Sequence, residues 1–147
     1  MNHSLEGSCQ CGEVHYQIKG EPLVLYRCHC TECQKQSGSG FGMSMWVRND
    51  DFEILRGSLK HFQRTADSGG KMESYSCGNC GVRIFNKTLK KKQDYMVLKP
   101  VTLHNKHFNP LLIFGSRVNR HGSYLQMIPN ISKDHRISRN SLKPDKL

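Results

Sequence analysis

Seven cysteines in a chain of 147 residues fall into three tight groups, Cys9-x-Cys11, Cys28-x-Cys30-x-x-Cys33 and Cys77-x-x-Cys80, with none left over. Two thiols one or two residues apart can grip the same ion while the amides of the turn donate to their sulfurs. Each group therefore reads as a partial chelate for a tetrahedral metal, zinc above all. The glycines of Cys11-Gly12 and Cys77-Gly78-Asn79-Cys80-Gly81 suit such knuckles, because a tight turn around a metal often needs a left-handed residue. Disulfides are the competing use of so many thiols. The odd count argues against them, and so does the segment Met1–Ser8, which has neither the basic start nor the apolar stretch of an export signal. The expectation is a cytoplasmic protein with reduced thiols and no membrane partner, since no run approaches the roughly 18 apolar residues of a span. A thioredoxin-like use of Cys77-x-x-Cys80 lacks the strand-helix-strand context.

Spacing leaves the division of these ligands open. Cys9, Cys11, Cys77 and Cys80 can close a four-sulfur site, leaving Cys28, Cys30 and Cys33 as a three-sulfur site with a position free for water or substrate. Equally, Cys9, Cys11, Cys28 and Cys30 can close one site while Cys33 joins Cys77 and Cys80 at another. A closed set is structural, and an open one has room for catalysis.

Hydrophobic residues make up 36% of the chain, so the apolar core is modest and metal is expected to help hold it. The pattern is that of short strands. Val14, Tyr16 and Ile18 alternate with polar residues, and further runs occur at Leu23–Tyr26, Phe41–Val47, Phe52–Leu55, Leu59–Gln63, Met72–Ser76, Val82–Phe85, Tyr95–Leu98 and Leu111–Phe114. Gly, Asn, Asp and Pro separate them, which predicts a mainly β domain of short antiparallel strands. One helical turn is predicted with Thr31 as N-cap, Gln34 in the capping-box position and Gly38 as the stop, placing Cys33 in the first turn. The domain is expected over residues 1–128, followed by a basic, mobile tail over residues 129–147.

The 22 Lys and Arg against 12 Asp and Glu give a formal charge of +10. That excess suits nucleic acid, another acidic surface or a small anionic substrate, and charge alone does not choose.

The blocks Gly7-Ser8-Cys9-Gln10-Cys11-Gly12-Glu13-Val14-His15-Tyr16, Cys28-His29-Cys30-Thr31-Glu32-Cys33-Gln34-Lys35-Gln36-Ser37-Gly38 and Cys77-Gly78-Asn79-Cys80-Gly81 stand in an order and spacing that resemble a known family. It is the glutathione-dependent formaldehyde-activating enzyme family, which includes the centromere protein V domain. The resemblance runs from about Leu5 to Arg120 and takes in Phe52-Glu53-Ile54-Leu55-Arg56-Gly57 and Ser116-Arg117. It implies a zinc-stapled β-tent fold with two zinc ions per chain, a structural one on Cys9, Cys11, Cys77 and Cys80 and a catalytic one on Cys28, Cys30 and Cys33. It also implies carbon–sulfur lyase chemistry that interconverts glutathione plus formaldehyde with S-hydroxymethylglutathione. The chain departs from the family pattern at Ser76, where an aromatic is common, and at Asn119-Arg120-His121, where a tryptophan is common, so the substrate pocket is expected to differ there.

An open zinc site keeps a bound thiol as thiolate, and the negative charge that accumulates on such a set needs amides or basic groups beside it. Arg27 and Lys35 flank the motif and are the candidates for binding the anionic substrate. His29, between two ligands, points away from a metal that both neighbours face. That suits a hydrogen-bonding role more than a fourth-ligand or proton-transfer one. Ser37 is a candidate for contacting substrate or a zinc sulfur, with a helix C-terminal turn as the plain alternative. His104-x-x-His107 has ligand-like spacing but reads as loop histidines. Trp46, with Phe41 nearby, reads as core more than pocket, and Lys90-Lys91-Lys92 as a solvated loop. A noncatalytic zinc-stapled module that binds nucleic acid or another acidic partner is the alternative function. It lacks the interleaved aromatic and basic residues of a single-strand-binding face.

Overall fold

The computed structural model describes residues 4–66, 69–89, 93–105 and 123–126 of the chain. Among these residues are ten strands: β1 (Leu5–Ser8), β2 (His15–Ile18), β3 (Val24–Cys28), β4 (Gly42–Arg48), β5 (Phe52–Arg56), β6 (Leu59–Thr65), β7 (Lys71–Cys77), β8 (Arg83–Thr88), β9 (Tyr95–Leu98) and β10 (Ser123–Gln126). One helix, α1 (Thr31–Ser37), joins β3 to β4. The strands form two antiparallel sheets, one ordered β1-β2-β5 and one ordered β10-β3-β4-β9-β8-β7-β6. The mainly β expectation holds. No helix among the described residues is long and apolar enough to cross a membrane.

Period-two alternation explains the layering. On β2, Tyr16 and Ile18 are fully buried while His15 and Gln17 are half-exposed. One face of the large sheet presents Leu25, Met45, Leu98, Phe85 and Tyr75 in a cross-strand row, because each is paired with the next. This face packs with Tyr16, Ile18, Phe52 and Ile54 of the small sheet to make the main core. The opposite face carries the row Val24, Trp46, Val97, Asn86, Ser74 and Phe62, apolar at one end and polar through its middle. Trp46 belongs to a smaller core there, stacked on Tyr95 with ring centroids 4.3 Å apart, so packing is its role.

Two strands escape the sequence reading. β1, Leu-Glu-Gly-Ser, has no alternation to recognise, and it exists because Gly7 lets the strand lie against Tyr16. A Cβ there would overlap the Tyr16 ring and the Thr102 carbonyl oxygen. β10 is drawn in by pairing with β3. The helix also begins one residue earlier than predicted. Its N-cap is Cys30, whose sulfur accepts the Cys33 N–H at 3.4 Å, and not Thr31. Gly38 closes it in the left-handed region, as expected. The predicted strand Leu111–Phe114, the Lys90-Lys91-Lys92 run, His107, Ser116-Arg117, Asn119-Arg120-His121 and the tail over residues 129–147 lie outside the described residues.

Burial separates two leucines cleanly. Leu98 is 0% exposed in the main core and Leu55 is 51% exposed on β5. Leu98→Ala is expected to lose about 2–5 kcal/mol in urea unfolding, and Leu55→Ala to stay within about 0.5 kcal/mol of the parent.

Candidate metal centres

Two turns with matching hydrogen bonds build the first cluster. After β1, Cys9 N donates to Val14 O at 3.0 Å and Gly12 N to Cys9 O at 3.1 Å. Between β7 and β8, Cys77 N donates to Val82 O at 2.9 Å and Gly81 N to Cys77 O at 3.0 Å. Gly12 and Gly81 take φ of +74° and +73°, the left-handed conformation that the knuckle requires. The two turns meet, and the sulfurs of Cys9, Cys11, Cys77 and Cys80 all lie within 4.8 Å of one another. Cys9 and Cys77 are buried at the bottom of the cluster, while Cys11 is exposed at its rim.

The second cluster is local. Cys28 ends β3, Cys30 caps α1 and Cys33 sits in its first turn, with all three sulfurs within 4.8 Å of one another. Cys33 packs against Gly42 at the start of β4, its Cβ 3.2 Å from the position a Gly42 Cβ would occupy. Cys33 therefore stands with Cys28 and Cys30, not with Cys77 and Cys80, and of the two groupings that spacing allows the structure assembles the four-plus-three one. None of the seven cysteines is in a disulfide.

The sulfur sets fit a tetrahedral ion. Neighbouring sulfurs are 3.5 Å apart for Cys9–Cys11, 3.8 Å for Cys11–Cys77 and 3.4 Å for Cys28–Cys30. A tetrahedron with metal–sulfur bonds of about 2.3 Å has edges of about 3.8 Å. Backbone amides are aimed at sulfur in both clusters, Val14 N at Cys9 Sγ (3.2 Å), Asn79 N at Cys77 Sγ (3.4 Å) and Cys33 N at Cys30 Sγ (3.4 Å). Such donors stabilise thiolate. The N–H groups of Val82 and Cys11 hold the Cys80 thiol down at about 6. In the three-sulfur set, hydrogen bonding to Cys28 and then burial push the Cys33 thiol far above the ordinary range. Three sulfurs this close resist shedding all their protons without a cation among them.

The remaining sequence candidates scatter. Arg27 lies on the sheet face opposite Cys28, with its guanidinium over the Phe41 ring at 5.2 Å, and His29 packs against the same ring at a centroid distance of 5.5 Å. Lys35 is exposed on the last turn of α1. Ser37 Oγ donates to Phe41 O at 2.9 Å and Gln34 O at 3.3 Å, which fastens the turn after the helix. His104 Nε2 meets Ser8 Oγ at 2.9 Å, the plain role expected for it.

Sequence reasoning missed a group of cations beside the three-sulfur set. Lys99, 5% exposed, donates from Nζ to Ser44 Oγ at 3.0 Å. Burial, then the charge of Arg83, push it down to about 8, while the sulfurs of Cys33, Cys28 and Cys30 pull it back up. Arg64 pairs with Glu32 of α1 at 3.4 Å. Lys99 follows the apolar run Tyr95–Leu98 and precedes Pro100, a context that reads as a solvated strand end. Nothing in that stretch of sequence signals its burial.

A sequence profile of the glutathione-dependent formaldehyde-activating enzymes matches residues 4–114. The crystal structure of a Rhodobacter sphaeroides protein from a structural genomics programme superposes with a TM-score of 0.53 at 20% identity, covering 71% of this chain and 91% of that one. That likeness concerns the fold. No curated protein matches the chain by sequence.

The clusters differ in what they tie together, so their variants are expected to differ. By atomic absorption Cys30→Ser is expected to lose one metal equivalent, with a melting temperature within a few degrees of the parent, about 1 kcal/mol or less for a chain of this size. Cys77→Ser is expected to lose the cooperative transition in circular dichroism, because a structural metal site supplies folding free energy. Equal loss of stability in the two variants would contradict this division.

Proposed function

The chain belongs to the glutathione-dependent formaldehyde-activating enzyme family, and from that premise we propose that it makes and breaks the carbon–sulfur bond of a glutathione–formaldehyde adduct or a closely related thiol–carbonyl adduct. The observation that carries this reading is the inequality of the two sulfur sets, one with four members and one with three among the described residues. Cys9, Cys11, Cys77 and Cys80 would hold a structural zinc, and Cys28, Cys30 and Cys33 a catalytic one. When bound, the catalytic zinc supplies the positive charge that keeps a substrate thiol deprotonated near neutral pH.

The residues around the three-sulfur set suit an anionic substrate. Three cysteinates around one divalent ion retain about one negative charge and a substrate thiolate adds another, so basic groups must offset it. Lys99 is buried within electrostatic reach of all three sulfurs and serves that purpose. Arg27 and the exposed Lys35 are assigned the weaker task of drawing an anionic thiol toward the set. In the reaction the thiolate sulfur attacks the formaldehyde carbon, the carbon–sulfur bond forms, and the carbonyl π pair moves to oxygen, which takes up the proton that the thiol gave. Cleavage runs the same steps backwards. His29, between Cys28 and Cys30 and packed on the Phe41 ring, is assigned a hydrogen-bonding role beside the set. A cytoplasmic location suits both the free thiols and a glutathione-dependent reaction.

Exchange spectroscopy on glutathione with carbon-13 formaldehyde tests the proposal. The protein is expected to accelerate exchange between free glutathione and S-hydroxymethylglutathione, and Cys30→Ser to return it to the uncatalysed rate. An unaccelerated exchange together with steeply salt-dependent binding to a polyanion would overturn the enzyme reading in favour of a binding module.

A further inference from the structure

The face of the large sheet turned away from the main core holds buried polar atoms with no hydrogen-bond partner: Ser74 Oγ, Asn86 Oδ1, Arg83 Nε and Nη1, and Arg64 Nε. Interiors seldom leave such groups bare, and a cluster of them on one face describes a place for a polar ligand. The cluster is cationic. The ion pairs among the described residues are Lys19–Glu53, Arg48–Asp94 and Arg64–Glu32, so Arg64 is neutralised while Arg83 and Lys99 have no acidic partner there. Lys99 has three N–H donors and spends one on Ser44.

A backbone irregularity puts Arg83 on this face. Regular alternation from Phe85, which lies in the main core, would send Ile84 to the second face and Arg83 into the core. The register shift between Tyr75 and Ser76 pairs Arg83 with Ser76 instead, and Ile84 becomes part of the main core. Bulges re-aim side chains in this way beside functional sites. The three-sulfur set adjoins the same region. Glu32 of α1 reaches Arg64, Cys33 packs on Gly42, and Arg83 and Lys99 both lie within electrostatic reach of the Cys33 sulfur.

Resting on the function proposed above, we propose that Arg83 and Lys99 form a carboxylate-binding subsite that holds the thiol substrate by its acid group while its sulfur lies at Cys28, Cys30 and Cys33. The substrate class is then a thiol that bears a carboxylate, and glutathione with its two carboxylates qualifies. Arg83 is the specificity residue, since its Nε and Nη1 have no hydrogen-bond partner and no acidic group among the described residues pairs with it, so its charge-assisted bonds to a carboxylate are made only when substrate is present. A role confined to offsetting the charge of the metal centre is the competing account, and it predicts no preference for acidic thiols.

Thiol binding to the cobalt-substituted protein, read from its visible absorption, separates these accounts. Glutathione is expected to perturb the spectrum with an affinity about 10- to 100-fold above that of glutathione diethyl ester, the range set by one or two charge-assisted hydrogen bonds. Arg83→Gln is expected to keep its full metal content, to lose that preference, and to bind 2-mercaptoethanol as the parent does. Equal affinity of the parent for glutathione and its diester would overturn the subsite while leaving the proposed function in place, and that comparison needs no variant to fold. Loss of metal from Arg83→Gln, or equal weakening of all three thiols, would assign Arg83 to charge compensation instead. No response of the parent to any thiol would remove the proposed function itself, and the subsite with it.

Discussion

Everything else in this fold leans on the meeting of two turns at Cys9, Cys11, Cys77 and Cys80. Cys9 follows β1, an edge strand of the small sheet, and Cys77 ends β7 of the large one, so the cluster fastens the two layers that enclose the main core. Its members are far apart in sequence, 66 residues separating Cys11 from Cys77. Closing a flexible loop of that length costs about 4 kcal/mol by the logarithmic term alone, comparable to burying about two leucines. A metal ion gripping both ends would offset that cost and let a chain with 36% hydrophobic residues sustain a two-layer fold.

The three-sulfur set is built on a different principle. Its ligands all come from residues 28–33, one strand end and one helical turn, so it closes no long loop and stabilises little beyond its own segment. A centre that the fold does not need for stability is free to keep a coordination position open. The same independence explains why the polar face beneath α1 can hold unpaired cations. Burying Arg83 and Lys99 is unfavourable in an empty interior, and thiolates and the proposed acidic ligand beside them would offset that cost.

Much of this was legible in the order of residues. Cysteine spacing named the ligand groups, the glycines after Cys11 and Cys80 announced the knuckles, and period-two alternation located eight of the strands the structure describes. What escaped depends on contacts that span the chain. β1 is a strand only because Tyr16 needs a glycine to lie against, and the cap moved from Thr31 to Cys30 because a sulfur can accept the Cys33 N–H. The division of cysteines into four and three needed the topology, since either grouping satisfied the spacing. Arg83 was invisible for a stricter reason. Alternation would put Arg83 on the other face, and only the bulge opposite Ser76 reverses it.

The central claim is that one metal holds the fold and the other does not. The most direct measurement is a chelator titration of the holoprotein, followed at once by native mass spectrometry for bound ions and by far-ultraviolet circular dichroism for structure. The account predicts that the first ion leaves with the dichroism unchanged, and that the loss of the second coincides with unfolding. Release of both ions in a single cooperative step, or a metal-free chain that keeps its β signal, would contradict it.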